Sequence, residues 1–276
     1  MLAPGTVLVA DRSAAGGTGA IIAVDPSTGT QQVVASGGVF ANPSGVVIDA
    51  DGSLLVVDSD AFGGTGGVIR INPSTGAQAT LSEGGLLVNP FNAAIEADGT
   101  IVVAATLGAR IVRVDPRDGR QTKVQAGETL DSAVDVVRDL DGSLLVVANV
   151  ERGGELLRVD RVSGAAAPVP GADFQNLVGI AVGPDGIIWA LEDRHGVGSS
   201  LVRFDPVSKQ RTLVAARGLL RGPFRVALEA SGTLVVSVPD IGGGDGQLIR
   251  VDRSSGTQTV VAQAAPMVEP FGLAVV

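Results

Sequence analysis

The apolar positions of this chain fall in short runs rich in Val, Ile and Leu, each ended within a few residues by Gly, Asp or Pro. No stretch sustains the 3.6-residue period of an amphipathic helix, and the β-branched content of the runs favours strands. Four of them lie close together: Gly45 to Asp49, Leu54 to Asp58, Val68 to Asn72 and Ala77 to Leu81. Asp51-Gly52 reads as a hairpin turn joining the first two, with Gly taking the positive φ that such a turn requires. Asn72-Pro73-Ser74-Thr75-Gly76 joins the last two, Pro fixing φ at the first turn position and Gly closing the turn. A longer Gly-rich loop, Ser59 to Gly66, separates the middle pair.

This four-run unit recurs. Its last turn returns as Asp25-Pro26-Ser27-Thr28-Gly29 and Asp115-Pro116-Arg117-Asp118-Gly119, and in looser form at Asp160, Asp205 and Asp252, with successive copies 43 to 47 residues apart. In phase with it run Pro4-Gly5, Asp51-Gly52, Asp98-Gly99, Asp141-Gly142, Asp185-Gly186 and Ser231-Gly232. Six units of four strands predict an all-β six-bladed β-propeller, four antiparallel strands to a blade, in a single domain over 1–276. The chain opens on a second-strand sequence, Thr6 to Asp11, and finishes on a first-strand sequence, Pro270 to Val275. The ring is therefore expected to close by the C-terminal strand joining the N-terminal blade, which leaves no sheet edge exposed there. The expected blades are 1–43 with 272–276, then 44–90, 91–133, 134–177, 178–223 and 224–271.

Composition narrows the chemistry. The 276 residues include no cysteine and one histidine, His195, which excludes disulfides, thiol catalysis and histidine-rich metal centres. A net charge of -9 argues against nucleic acid as a partner. No apolar run approaches the roughly 20 residues of a membrane-spanning helix, so no membrane partner is expected, and the chain reads as a monomer. Residues 1–5 carry no export signal, which leaves the compartment open: secreted or periplasmic had a leader been removed, otherwise cytoplasmic.

The phrase running from Pro43-Ser44-Gly45-Val46-Val47-Ile48 through Asp51-Gly52-Ser53-Leu54-Leu55-Val56-Val57-Asp58 resembles NHL-type repeats, and at larger scale the chain is similar to six-bladed propellers of the gluconolactonase and paraoxonase kind. Gly183-Pro184-Asp185-Gly186-Ile187-Ile188-Trp189 also resembles a blade of the streptogramin lyases, which use a histidine base and Mg²⁺ on seven blades. The lactonase resemblance implies a Ca²⁺ held by Asn, Asp and Glu oxygens in the central channel. Asn92 and Asp135 occupy comparable places and are the metal candidates, with Ca²⁺ or Mg²⁺ as the ion. The N-terminal strand has no Glu, and Arg225 places a positive charge in the same funnel.

Aligning the six units gives the residues expected at the channel mouth: Gly45, Asn92, Asp135, Gly179, Arg225 and Gly272, preceded by Ser44, Phe91, Val134, Val178, Phe224 and Phe271. Asn92, Asp135 and Arg225 stand out against a default of Gly behind an apolar wall. They read as an ion pair assisted by an amide, and as ligand-binding candidates together with Phe91, Phe224 and Phe271. Catalytic candidates are Asp135, Glu192 and His195, the last two within Glu192-Asp193-Arg194-His195, where carboxylates would orient an imidazole base. Five third-strand arginines, Arg70, Arg113, Arg158, Arg203 and Arg250, are expected to pair with acidic neighbours between blades. Asp58, Asp60, Asp240 and Asp245, in or beside the Gly-rich loops, are the oxygens available to a surface Ca²⁺.

Three readings of function stand. The first is a propeller scaffold binding a protein, peptide, glycan or other small molecule on its top face. The second is a divalent-metal-dependent lactonase, esterase or lyase working at the channel mouth. The third, suggested by the absence of tyrosine and cysteine, is a designed or consensus-like propeller without a native activity.

Overall fold

A computed structural model describes residues 2–108, 111–124, 130, 132–148, 153–194, 198–239 and 245–276. The chain is a six-bladed β-propeller, six separate sheets of four antiparallel strands. The first blade holds β1 (Val7–Asp11), β2 (Ala20–Val24) and β3 (Gln31–Ser36). The second holds β4 (Pro43–Ile48), β5 (Leu54–Asp58), β6 (Gly67–Ile71) and β7 (Gln78–Glu83). The third runs β8 (Pro90–Ile95), β9 (Ile101–Ala105), β10 (Ile111–Val114) and β11 (Gln121–Lys123), and the fourth β12 (Ala133–Arg138), β13 (Leu144–Ala148), β14 (Glu155–Val159) and β15 (Ala166–Pro168). The fifth is β16 (Leu177–Val182), β17 (Ile188–Arg194), β18 (Gly198–Asp205) and β19 (Gln210–Ala216). The sixth is β20 (Arg225–Leu228), β21 (Leu234–Val238), β22 (Gln247–Val251) and β23 (Gln258–Gln263), and the final strand, β24 (Pro270–Val275), returns to pair with β1.

That return rebuilds, between the two ends of the chain, the turn that elsewhere is covalent. In the second blade Asp49 and Ser53 bracket a turn in which the Gly52 N–H donates to the Asp49 carbonyl (2.9 Å). At the junction the Gly5 N–H donates to the Val276 carbonyl (2.7 Å) and the Val276 N–H to that of Thr6 (2.9 Å). Gly52 and Gly142 adopt φ of 81° and 83°, as their turns require.

The core lies between blades. Alternate residues of each middle strand face opposite neighbours, so that Leu54 and Val56 pack with Leu8 and Ile21 of the first blade while Leu55 and Val57 pack with Ile101 and Val103 of the third. Burial on both faces is why these strands read as continuous apolar runs rather than alternating ones.

The third-strand arginines pair inside their own blades, not between blades. In register, Val47, Leu55 and Arg70 lie opposite one another, and Asp49 stands two residues beyond Val47 on the same sheet face. Arg70 accordingly meets Asp49 at 2.7 Å, Arg113 meets Glu96 at 2.9 Å, Arg158 meets Asp139 at 2.6 Å and Arg250 meets Glu229 at 2.6 Å. The fifth blade has Gly183 at the acidic position, and its Arg203 has no ion pair among the described residues.

Between blades the connection is made by glutamine. Gln31, Gln78, Gln121 and Gln258 each begin a fourth strand, or stand at its first position, and reach into the loop that leaves the preceding blade. Gln78 accepts from the Val39 N–H (3.0 Å) and donates to the Gly37 carbonyl (3.0 Å). Arg211 takes this place in the fifth blade, donating to the Asp173 carbonyl and lying 4.8 Å from the Phe174 ring.

Candidate functional site

Every innermost strand, except where β20 begins, carries one residue more than its partner strand at the same level. The surplus residues are Ser44, Phe91, Val134, Val178 and Phe271. A bulge of this kind re-aims side chains, letting consecutive residues turn away from the sheet faces toward the axis. Phe224, immediately before β20, completes the set. Three phenylalanines thus meet over the axis: Phe91 and Phe224, from opposite blades, have ring centroids 5.7 Å apart, and Phe224 and Phe271 are 4.2 Å apart.

The residues one step further along fill the axis. Asn92 donates its amide to Asp135 Oδ1 (2.5 Å), the Ile180 N–H donates to Asp135 Oδ2 (2.9 Å), and Arg225 Nε lies 3.7 Å from Asp135 Oδ1. The Arg225 guanidinium also donates to the carbonyls of Val178 (3.1 Å), Phe224 (3.1 Å) and Val134. Asp135 is 0% and Arg225 3% exposed. Burial and desolvation depress the pKa of Arg225, and the adjacent Asp135 charge opposes that shift. These side chains satisfy backbone groups of inner strands that no further strand pairs. The glycines of the same level are there for space: a Cβ on Gly45 would lie 2.7 Å from Asn92 Oδ1, one on Gly179 2.5 Å from the Phe224 carbonyl, and one on Gly272 2.7 Å from Gly45 Cα. Asn92, Asp135 and Arg225 therefore converge as a packed plug rather than as the lining of an open channel.

A divalent ion does not fit this plug. Both oxygens of Asp135 are occupied by N–H donors, a guanidinium stands beside it, and Asn92 turns its NH₂ toward it; a hard cation needs several free oxygens. Among the described residues no group of three acidic or histidine side chains is placed to hold a metal. The surface alternative fares similarly: the oxygens of Asp58 accept the N–H groups of Ala41, Asn42, Asp60 and Ala61, and Asp60 accepts from the Asn42 amide. Asp240 lies outside the described residues, and Asp245 is exposed.

Glu192 is separate from the plug. It is 2% exposed and lines a cleft of about 360 Å³ beside β18 and β19, together with Ser199, Ser200, Arg211 and Arg217. Its Oε1 accepts from the Gln175 N–H (2.8 Å) and from Arg211 (2.7 Å), its Oε2 from the Ser200 hydroxyl (3.1 Å). The same strand position holds Asp11 in the first blade and Asp58 in the second, each clamping the segment that leads into an inner strand. Burial raises both of those carboxyls while their backbone N–H partners act the other way. Glu192 is the third member of this set of clamps, a repeat invisible in the sequence because the other three blades carry Ala105, Ala148 and Val238 there. His195 lies outside the described residues. Trp189 is buried in the core between the fifth and sixth blades.

One residue of the mouth gave no signal in the sequence. Arg12, directly after β1, lays its guanidinium over the phenylalanines, with its central carbon 3.5 Å from the Phe271 centroid, 4.8 Å from Phe91 and 6.0 Å from Phe224. Burial lowers its pKa to about 10; the Glu269 charge works against that shift and the Arg225 charge with it. Arg12 occurs in no other copy of the repeat, and only the ring arrangement brings residue 12 against 91, 224 and 271.

No family model and no curated protein matches the chain in sequence. Solved structures resemble it in fold. The crystal structure of a nidogen/laminin complex contains a chain matched with a TM-score of 0.78 at 14% identity, over 97% of each chain. TolB from Acinetobacter baumannii is matched at 0.70 and 15% identity, over 98% of this chain and 66% of that one. A protein provisionally assigned as a 6-phosphogluconolactonase, from Bacteroides fragilis, is matched at 0.66 and 17% identity, over 99% and 98%. Identities this low establish the propeller fold and nothing narrower.

Proposed function

We propose that this propeller is a binding scaffold that docks a protein or peptide partner on the face bearing Phe91, Phe224, Phe271 and Arg12. The observation that carries the reading is the sealed axis. Asp135, the carboxylate best placed for channel chemistry, is wholly buried beneath the phenylalanines with both oxygens engaged. A general base or metal ligand has to reach its substrate, and this one is committed to holding inner strands together. Phe91, Phe224 and Arg12 remain half-buried at the surface, an aromatic and guanidinium surface of the composition enriched in protein interfaces. The nidogen/laminin structure gives a precedent for a propeller in a protein complex, and the lactonase assignment of another neighbour gives the competing reading.

The test uses protein carrying labelled phenylalanine in an NMR titration with a panel of capped peptides, beside an assay of lactone and ester turnover with Ca²⁺ or Mg²⁺ added. The expected result is ring-signal shifts for some peptides, weakened by Phe91→Ala, and no turnover. Metal-dependent turnover lost in Asp135→Asn, without peptide binding, would overturn the reading.

A further inference from the structure

The way Arg12 is held narrows the partner. A guanidinium stacked on an aromatic ring uses its faces, and its N–H groups stay in its own plane, pointing outward at the edge. In Arg12 two of these edge atoms, Nε and one terminal nitrogen, are buried and have no hydrogen-bond partner among the described residues. Buried donors without acceptors are costly, the more so on a charged group. The carboxylates that act on Arg12 electrostatically each hold another donor. Glu269 accepts from the Ser13 hydroxyl at 2.6 Å, Asp58 accepts four backbone N–H groups, and Asp60 accepts from Asn42 at 2.9 Å. Below the rings Arg225, 3% exposed, likewise has an Nε without a hydrogen-bond partner. The mouth therefore holds two guanidiniums with unmet donors.

We infer that Arg12 receives a single carboxylate of an acidic peptide partner, whose neighbouring apolar side chain lies on Phe91 and Phe224; this rests on the binding reading above. The guanidinium slides along the Phe271 face to present its edge, which keeps the stacking while the carboxylate takes the two free N–H groups side by side, the paired geometry that arginine offers to carboxylates. One negative charge suits the place better than the two of a phosphate, because Glu269, Asp58 and Asp60 already surround Arg12 and the chain as a whole carries -9. The carboxylate has two sources in a peptide, a glutamate or aspartate side chain or the chain terminus.

Three capped or uncapped tripeptides separate these on the intact protein: leucine-glutamate-leucine with both ends blocked, leucine-glutamine-leucine with both ends blocked, and leucine-glutamine-leucine with a free C-terminal carboxylate. Dissociation constants are read from the labelled phenylalanine signals and from the arginine Nε–H signals. Binding of the first or third peptide, at least about tenfold tighter than the blocked glutamine peptide, and weakened by about the same factor in Arg12→Gln but less in Arg12→Lys, is the expected result. Whichever of the two binds identifies the source. Equal affinity for all three, or unchanged affinity in Arg12→Gln, overturns the carboxylate while leaving the binding face standing. No signal shift with any peptide overturns both. The melting temperature of Arg12→Gln checks that the variant is folded, and Arg12→Lys supplies the comparison should it not be.

Discussion

The rim of this propeller and its axis are built on opposite principles. At the rim the same device returns blade after blade: an arginine on the third strand against an acid beyond the first, as in Arg113 with Glu96 and Arg250 with Glu229. At the axis the bulge and the glycines repeat but the polar side chains do not: Asn92, Asp135 and Arg225 are one of a kind, with Arg12 above them. Repetition marks what every blade needs to stay in the ring, and departure from it marks where the molecule is individual. The lesson has an exception within the same chain. Glu192 looks individual in sequence, yet its hydrogen bonds place it with Asp11 and Asp58 as a clamp.

The contrast is broken most severely by attacking what both regions depend on. Deleting residues 272–276 removes most of β24, exposes the edge of β1 and should give aggregation or loss of cooperative unfolding, read by light scattering and thermal denaturation. Unchanged melting of a monomeric truncation would contradict the closure. Within the rim, Arg113→Leu leaves Glu96, 4% exposed, as a buried carboxylate without its partner, and should cost about 2 kcal/mol in urea denaturation. Gly52→Val places a β-branched residue at a φ of 81° and should cost about 1 kcal/mol or somewhat more by the same measurement. The smallest effect belongs to Arg12→Gln. Its folded pKa lies below the ordinary arginine value, so the charged form is the one the fold disfavours at every pH below about 10. Removing that charge should lower stability by less than about 0.5 kcal/mol at pH 7, stacking lost being offset by unmet donors removed. Wild type should therefore gain stability from this group as pH rises through about 10, a gain absent from the variant. A large loss in Arg12→Gln would make Arg12 part of the frame instead of the mouth.

Much of the frame was legible along the chain because it repeats: six units marked by Asp-Gly and Pro-x-x-Gly turns or looser copies of them announce strand number, hairpins and closure through pattern alone. The convergence of Asn92, Asp135 and Arg225 was legible for the same reason, as exceptions at one repeat position. Their bonding was not, since whether an aspartate is free or locked depends on the Ile180 N–H and Arg225 reaching it from other blades. The glutamine clasps carry no sequence signal, because glutamine at a strand end is ordinary and only the fold sets its target loop, 37 to 39 for Gln78, beside it. The pairing of Arg70 with Asp49 inside one blade follows from the face shared across three strands, which needs the register.

The central claim is that the axis is a structural plug and the surface above it the working face. Urea denaturation of Asp135→Asn tests this most directly, because the change keeps shape while removing the charge beside Arg225 and setting an NH₂ against one of the two N–H groups that Asp135 accepts. A plug predicts a loss of about 3 kcal/mol that adding Arg225→Met does not recover, since the guanidinium also holds the buried carbonyls of Val178, Phe224 and Val134. A reaction centre predicts the reverse. Catalytic carboxylates are held at the expense of stability, so an Asp135→Asn protein as stable as wild type or more so would contradict the account.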